Sequence, residues 1–273
     1  MNGQDQPVRE GRVEAFHRLH SAGCFVMPNP WDAGSAHALQ RLGFPALATT
    51  SAGLAWTSGR ADAQVTLEQT LEHLRVIVDA VDVPVNADFK DGFAVDPEQL
   101  AMNIGLAAAT GVAGLSIEDS TDDESHPLLD RALAVERIQA ARTAIDDSGS
   151  GMVLTARSEG FVVGRPDLDE TIRRLRAYAE AGADCLYAPR IGTVEQVSAI
   201  VEAVAPKPVN LLINAPFISV AEAATLGVRR ISVGGTLART AWAGFLAAAH
   251  EIADAGTFST FERLPDIDGQ FLP

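Results

Sequence analysis

An alternation repeated eight times constrains this chain more than any other feature: a short β-rich run, then a longer segment with helical spacing. Candidate strands fall at 25–27, 46–49, 83–88, 114–117, 152–156, 185–187, 208–213 and 230–233. Between them, segments such as LEQTLEHLRVIVDAV, LDETIRRLRAYAEAG and VEQVSAIVEAVA place apolar residues three or four apart, which makes one apolar stripe on a helix. Parallel neighbours need a crossover of about a dozen residues, so the alternation reads as successive βαβ units. Three junctions, AATGVAGLSIED, AEAGADCLYAP and ATLGVRRISVGG, share one plan in which a helix stops at Gly, the chain turns, and a buried strand begins. That repetition, with no GxGxxG after the first strand, favours a closed barrel over an open doubly wound sheet. The expectation is an α/β protein, a single (β/α)8 TIM barrel over residues 1–273, with a C-terminal helix and tail from about 236.

Composition matters where it excludes. The formal net charge of −15 repels phosphate backbones and anionic lipid, so no nucleic acid or membrane partner is expected. The same field repels an anionic substrate, which would need a local metal ion or arginine. Cys24 and Cys185 each sit in an apolar stretch, which suggests buried free thiols. No apolar signal core or membrane-length run is present, and a soluble cytoplasmic protein is expected. The last helical segment, TLARTAWAGFLAAAHEIADAGTF, carries more apolar surface than one barrel flank covers, which points to packing against another subunit.

In a parallel barrel the C-terminal ends of the strands line the active mouth. Asp88 and Glu118 end the third and fourth strands, and Asp62 lies on the loop leaving the second. Three converging carboxylates need a cation, and an all-oxygen set prefers a hard one, Mg²⁺ or Mn²⁺. The bland alternative is that such acids cap the following helices, as Asp119, Asp122 and Asp123 could. Arg157 follows the buried run MVLTA and projects into the same mouth, either to grip a carboxylate ligand or to pair with Glu118 or Glu159. Ser51, Ala52 and Gly53 form a small-residue turn whose N–H groups could cradle an anionic oxygen. Among six histidines, His126 differs by lying in the loop after the fourth strand, where it is an acid–base candidate on a lid.

The blocks MPNPWDAGSAHALQRLGFPALATTSAGLAWTSGRAD, PVNADFKDGF, GVAGLSIEDS, LTARSEGF and EAGADCLYAPR, in this order, resemble the isocitrate lyase and phosphoenolpyruvate mutase superfamily over nearly all of residues 25–240. The resemblance implies a modified (β/α)8 barrel whose last helix is swapped between subunits of a homodimer or homotetramer. It makes Asp88 the principal Mg²⁺ contact, with Asp62 and Glu118 as metal or metal-water ligands. Ser51, Ala52 and Gly53 would hold the substrate carboxylate, and Arg157 its carboxylate or enolate oxygen. The implied chemistry is cleavage of a carbon–carbon bond in a small oxo acid or hydroxy acid through an enolate, by a lyase or decarboxylase. The sequence departs from relatives in three places. STDDESHPL lacks the catalytic Cys of lyases acting on isocitrate, Lys90 replaces an acid, and Pro189 replaces a Glu. Arg190, beside Pro189, could take a distal acid group of the substrate. Phosphoenolpyruvate mutase or phosphonopyruvate hydrolase chemistry, and oxo-acid binding without catalysis, stay open as alternatives.

Overall fold

The structure, a computed structural model, describes residues 5–121 and 123–270. Its eight strands are β1 (Phe25–Val26), β2 (Leu47–Ala48), β3 (Val85–Asp88), β4 (Gly114–Glu118), β5 (Val153–Arg157), β6 (Cys185–Tyr187), β7 (Val209–Leu212) and β8 (Arg230–Ser232). All pairs are parallel and the order is β1-β8-β7-β6-β5-β4-β3-β2. The remaining seam, between β1 and β2, is joined by the Ala48 N–H donating to the Pro28 carbonyl at 3.1 Å. The architecture is therefore the expected (β/α)8 barrel. Strands β4 and β5 each run one residue further than the sequence suggests, because Glu118 pairs with Arg157 in register. Both side chains thus stand on ladder residues rather than on loops.

Among the described residues ten α-helices accompany the strands: α1 (Asp5–Ser21), α2 (Ala33–Arg41), α3 (Ser51–Thr57), α4 (Leu67–Ala80), α5 (Pro97–Ala108), α6 (Arg131–Ser148), α7 (Leu168–Glu180), α8 (Val194–Val204), α9 (Val220–Thr225) and α10 (Thr236–Ala255). Their ends follow local chemistry. Thr66 with Gln69, Thr193 with Gln196 and Ser219 with Glu222 are capping boxes that open α4, α8 and α9. Pro97 fills the first turn of α5, where its missing N–H costs nothing.

Side chains alternate along each strand. Leu115, Leu154, Leu186, Leu211 and Ile231 point outward into the main core against the helices. Ser116, Arg157, Tyr187, Asn210, Arg230 and Ser232 belong to the opposite phase and line an internal cavity. The barrel interior is thus polar above and apolar only at its base, where Phe25, Met27, Val153 and Cys185 pack with Phe16 of α1. Gly114 is required there: a Cβ would lie 2.8 Å from both the Phe16 ring and the Val153 carbonyl. Because that carbonyl is fixed in the β4–β5 ladder, Gly114→Ala is expected to destabilise the fold by about 1–3 kcal/mol, measured by urea unfolding. A loss under about 0.5 kcal/mol would show that α1 yields freely.

Both cysteines are free; Cys185 is buried as expected, whereas Cys24 is only half-buried, and no described helix is long and apolar enough to cross a membrane. Helix α10 buries only Ala238, while Trp242, Phe245 and Leu246 are exposed, Phe245 by 61%.

Candidate active site

A cavity of about 330 Å³ opens at the C-terminal ends of the strands and descends into the barrel. Arg157 organises its acidic side. Its Nη1 lies 2.9 Å from Asp88 Oδ1 and 2.8 Å from Glu118 Oε1, and its Nε lies 2.7 Å from Glu159 Oε1. Its other terminal nitrogen, Nη2, makes none of these contacts. The guanidinium also stands 5.0 Å over the Tyr187 ring. Of the two roles left open for Arg157, the ion pair with Glu118 and Glu159 is present, and the residue also lines the cavity.

The backbone fixes these groups tightly. Ser51 donates its N–H and its Oγ–H to Asp88 Oδ2 at 2.9 and 3.0 Å. The Glu118 N–H donates to the Lys90 carbonyl at 2.8 Å, and the buried Arg137 donates to the Glu118 carbonyl at 3.2 Å. Lys90 adopts a left-handed φ of 51°, an uncommon conformation for a residue with a Cβ, and its Nζ reaches the Asp62 carbonyl at 3.3 Å. Asp119 does not cap a helix. It is buried, takes the Glu159 N–H at 2.7 Å, and takes Arg174 and the Tyr178 hydroxyl at 3.1 and 2.5 Å. That network holds the chain after β5 in place. Asp122 lies outside the described residues, and Asp123 is exposed and bonded to Ser125.

Burial sets the protonation pattern. Glu118 is pushed up to about 8 by desolvation, against the pull of Arg157 and with the repulsion of Glu159 and Asp88. Glu159 is likewise raised by burial. Burial alone would lower Arg157, but Glu118, Glu159 and Asp88 outweigh it and hold the guanidinium charged. Asp62 is raised, first by desolvation and then by Asp88. For Glu118 the folded state keeps a proton that the unfolded chain releases near its ordinary 4.5, so this group costs stability progressively between pH 4.5 and about 8. In metal-free protein, Glu118→Gln is therefore expected to raise the melting temperature relative to wild type as pH climbs through that window, with the two curves meeting below it. A constant offset at every pH would refute the raised pKa.

A sequence profile of the family described as phosphoenolpyruvate phosphomutase matches residues 16–253. The chain belongs to that family. Its barrel superposes on a protein of Burkholderia cenocepacia, described provisionally as a lyase/mutase, with a TM-score of 0.94 and 44% identity over 97% of each chain. A 2,3-dimethylmalate lyase of the wider phosphoenolpyruvate mutase/isocitrate lyase superfamily is similar at 27% identity and TM-score 0.84, over 97% of this chain and 93% of the other. Oxaloacetate acetylhydrolase bound to its product oxalate is similar at 27% identity and TM-score 0.84, over 95% of this chain and 91% of the other.

Within this family barrel the expected residues separate into two groups. Ser51, Ala52, Asp62, Asp88, Glu118, Arg157 and Arg190 all line the cavity. Gly53 and His126 do not. The small-residue turn is the first turn of α3, and its N–H groups are largely committed: Ser51 to Asp88, Gly53 to Thr50 Oγ1 and Leu54 to the Thr50 carbonyl. Ala52 alone of the four keeps an N–H without a partner among the described residues. His126 is exposed and turned onto its own loop, 3.3 Å from Asp123.

A divalent ion fits this donor set only in part. Among the described residues no three His, Cys, Asp or Glu stand close enough to chelate one by themselves. Asp88 and Glu118 converge, whereas Asp62 stays at the rim. Such a set suits Mg²⁺, which is commonly held by one or two carboxylates with water and substrate completing the shell. Sequence reasoning missed Tyr187, Asn210 and Arg230 as cavity residues; Arg230 lies two residues before Ser232 in β8, so the period-two alternation of a strand puts those two on one face.

Proposed function

We propose that this chain is a carbon–carbon lyase that cleaves a small oxo acid or hydroxy acid through an enolate, with Mg²⁺ or Mn²⁺ as cofactor. The observation that carries the reading is the convergence of Asp88, Glu118 and Arg157 Nη1 at the mouth of a cavity of about 330 Å³, large enough for a small dicarboxylate. Asp88 and Glu118, with Asp62 through water, would hold the ion, which when bound supplies a Lewis acid for the developing enolate oxygen. Arg157 Nη2 and the Ala52 N–H would hold the substrate carboxylate, both being preorganised before the substrate arrives. Glu118 keeps a proton in the metal-free protein because it is buried, and it would release that proton on taking up the ion, so its part in the reaction would be to hold the ion beside the enolate oxygen. Arg190, at the rim with a left-handed φ of 64°, would meet a distal acid group. His126 enters the reaction only if its loop closes.

The relatives support this class: one acts as a dimethylmalate lyase and another releases oxalate from oxaloacetate acetylhydrolase chemistry. Phosphorus–carbon chemistry is the second reading, favoured by the family profile itself. The deciding measurement is calorimetric titration of oxalate, an enolate mimic, into metal-stripped protein with and without Mg²⁺, followed by a panel of oxo and hydroxy acids. Oxalate affinity that requires Mg²⁺, with a cleaved carbon–carbon bond in at least one acid, is expected. Release of free phosphate from phosphonopyruvate would select the second reading, and oxalate binding without any turnover would leave a binding protein. No binding in either state would remove the metal–enolate site altogether. We further propose that the exposed apolar face of α10 packs on a second copy of the chain in a homodimer or homotetramer, which a molar mass in solution equal to one chain would contradict.

A further inference from the structure

Beneath the acidic mouth lies a cation with no carboxylate partner among the described residues. Arg230 opens β8, is 2% exposed, and faces the lower part of the cavity. All its partners are neutral groups. Nε donates to Asn210 Oδ1 at 2.9 Å, and Nη1 donates to His20 Nε2 at 3.2 Å and to Asn86 Oδ1 at 3.5 Å. Nη2 makes no hydrogen bond among the described residues. His20 cannot share the charge, because its Nδ1 bonds the Phe16 carbonyl at 2.7 Å, which leaves Nε2 as the acceptor for Arg230. Burial and Arg230 accordingly push the His20 imidazole down to about 3. The ionisable groups that act on Arg230 are Cys185, Tyr187 and Arg157, with no carboxylate among them.

A buried charge without a partner is costly, and proteins retain one where something pairs with it. The surroundings suit a small anion. Asn210 Nδ2 donates to Ser232 Oγ at 3.0 Å, Ser232 bonds to Tyr187, and Ser116, Tyr187 and Ser232 line the same cavity as Arg230, so the guanidinium is set among neutral polar groups. We propose that Arg230 forms an internal anion site for one carboxylate at the inner end of the cavity, apart from Asp88 and Glu118 at its mouth. Its occupant is either a free small carboxylate or the inner carboxylate of a ligand that also reaches the mouth. The site stands independently of the lyase reading.

The test uses sodium formate on the full chain, with ionic strength held constant by the bulky anion of MES. A saturable rise in melting temperature and a calorimetric isotherm are expected for wild type. Arg230→Met should weaken formate at least about tenfold, as expected for a lost charged hydrogen-bonding partner. Where that variant does not fold, Arg230→Lys carries the comparison, since it keeps the charge but cannot reproduce the guanidinium fork. No saturable effect in wild type, or equal formate affinity in wild type and the variant, overturns the proposal. Malonate then separates the two sources. Competition with formate means the anion is the inner carboxylate of the mouth ligand, and simultaneous binding means it is a separate ion. Mg²⁺-dependent oxalate binding, measured in the same variants, reports on the mouth alone.

Discussion

Asp88→Ala is expected to lower kcat/KM for the preferred acid by at least about a thousandfold and to abolish the Mg²⁺ dependence of oxalate affinity. The reason is that Asp88 does three things at once. Oδ1 meets Arg157 at 2.9 Å, and Oδ2 takes both the N–H and the hydroxyl of Ser51. Its loss leaves the start of α3 without its tie to β3 and, in the proposed metal site, would leave the ion without its principal carboxylate. Asp88→Asn separates these roles, since an amide oxygen can still accept from Ser51 but brings no charge. Asp88→Asn should unfold near the wild-type urea midpoint while remaining inactive, because Glu118 and Glu159 still pair with Arg157 and are relieved of the repulsion of Asp88. Full turnover by either variant without added metal would sink the assignment of Asp88 as a metal ligand.

The second large effect concerns Arg157. Three carboxylates lie 2.7 to 2.9 Å from this one guanidinium, and the partners are between 2% and 19% exposed. Removing one member of a buried ion cluster typically costs about 3–5 kcal/mol, because the remaining charges stay desolvated. Arg157→Met is expected to lose that much at pH 8 and distinctly less at pH 5. At the lower pH Glu118 and Glu159, both already raised by burial, take up protons and relieve the repulsion. Urea unfolding of wild type and variant at the two pH values measures the difference. Arg157→Lys should recover part of the stability and little activity, since an ammonium cannot span three carboxylates in one plane. A loss below about 1 kcal/mol at pH 8 would mean that the cluster behaves as a solvated surface network.

Much of this was legible in the chain. The eight strands announced themselves because a parallel strand is buried on both faces and must be followed by an amphipathic crossover, so sequence period and fold carry the same signal. The place of Asp88, Glu118 and Arg157 at strand ends followed from that count, since the mouth of a barrel is defined by strand direction. The family resemblance rested on those same blocks, and the family profile bears it out.

What stayed hidden involves partners far apart in sequence. Asp119 reads as a helix cap, yet it is buried against Tyr178 and Arg174, which lie 59 and 55 residues away. Ser51 to Gly53 read as a free cradle, but Asp88 takes the Ser51 N–H and the Thr50 hydroxyl takes that of Gly53. His126 reads as a lid acid, and the turn built by Asp123 and Ser125 folds it back on itself. Arg230 looks like one more basic residue in GVRRIS until the barrel closes and places it among Asn86, Asn210 and His20.

The (β/α)8 architecture and the acidic mouth were readable from the chain alone, because periodicity and residue type act over a few neighbouring positions. Only the tertiary structure decided which charges are neutralised and which remain open. Desolvation and ion pairing depend on distances between strands that the chain visits far apart, and no local pattern encodes them.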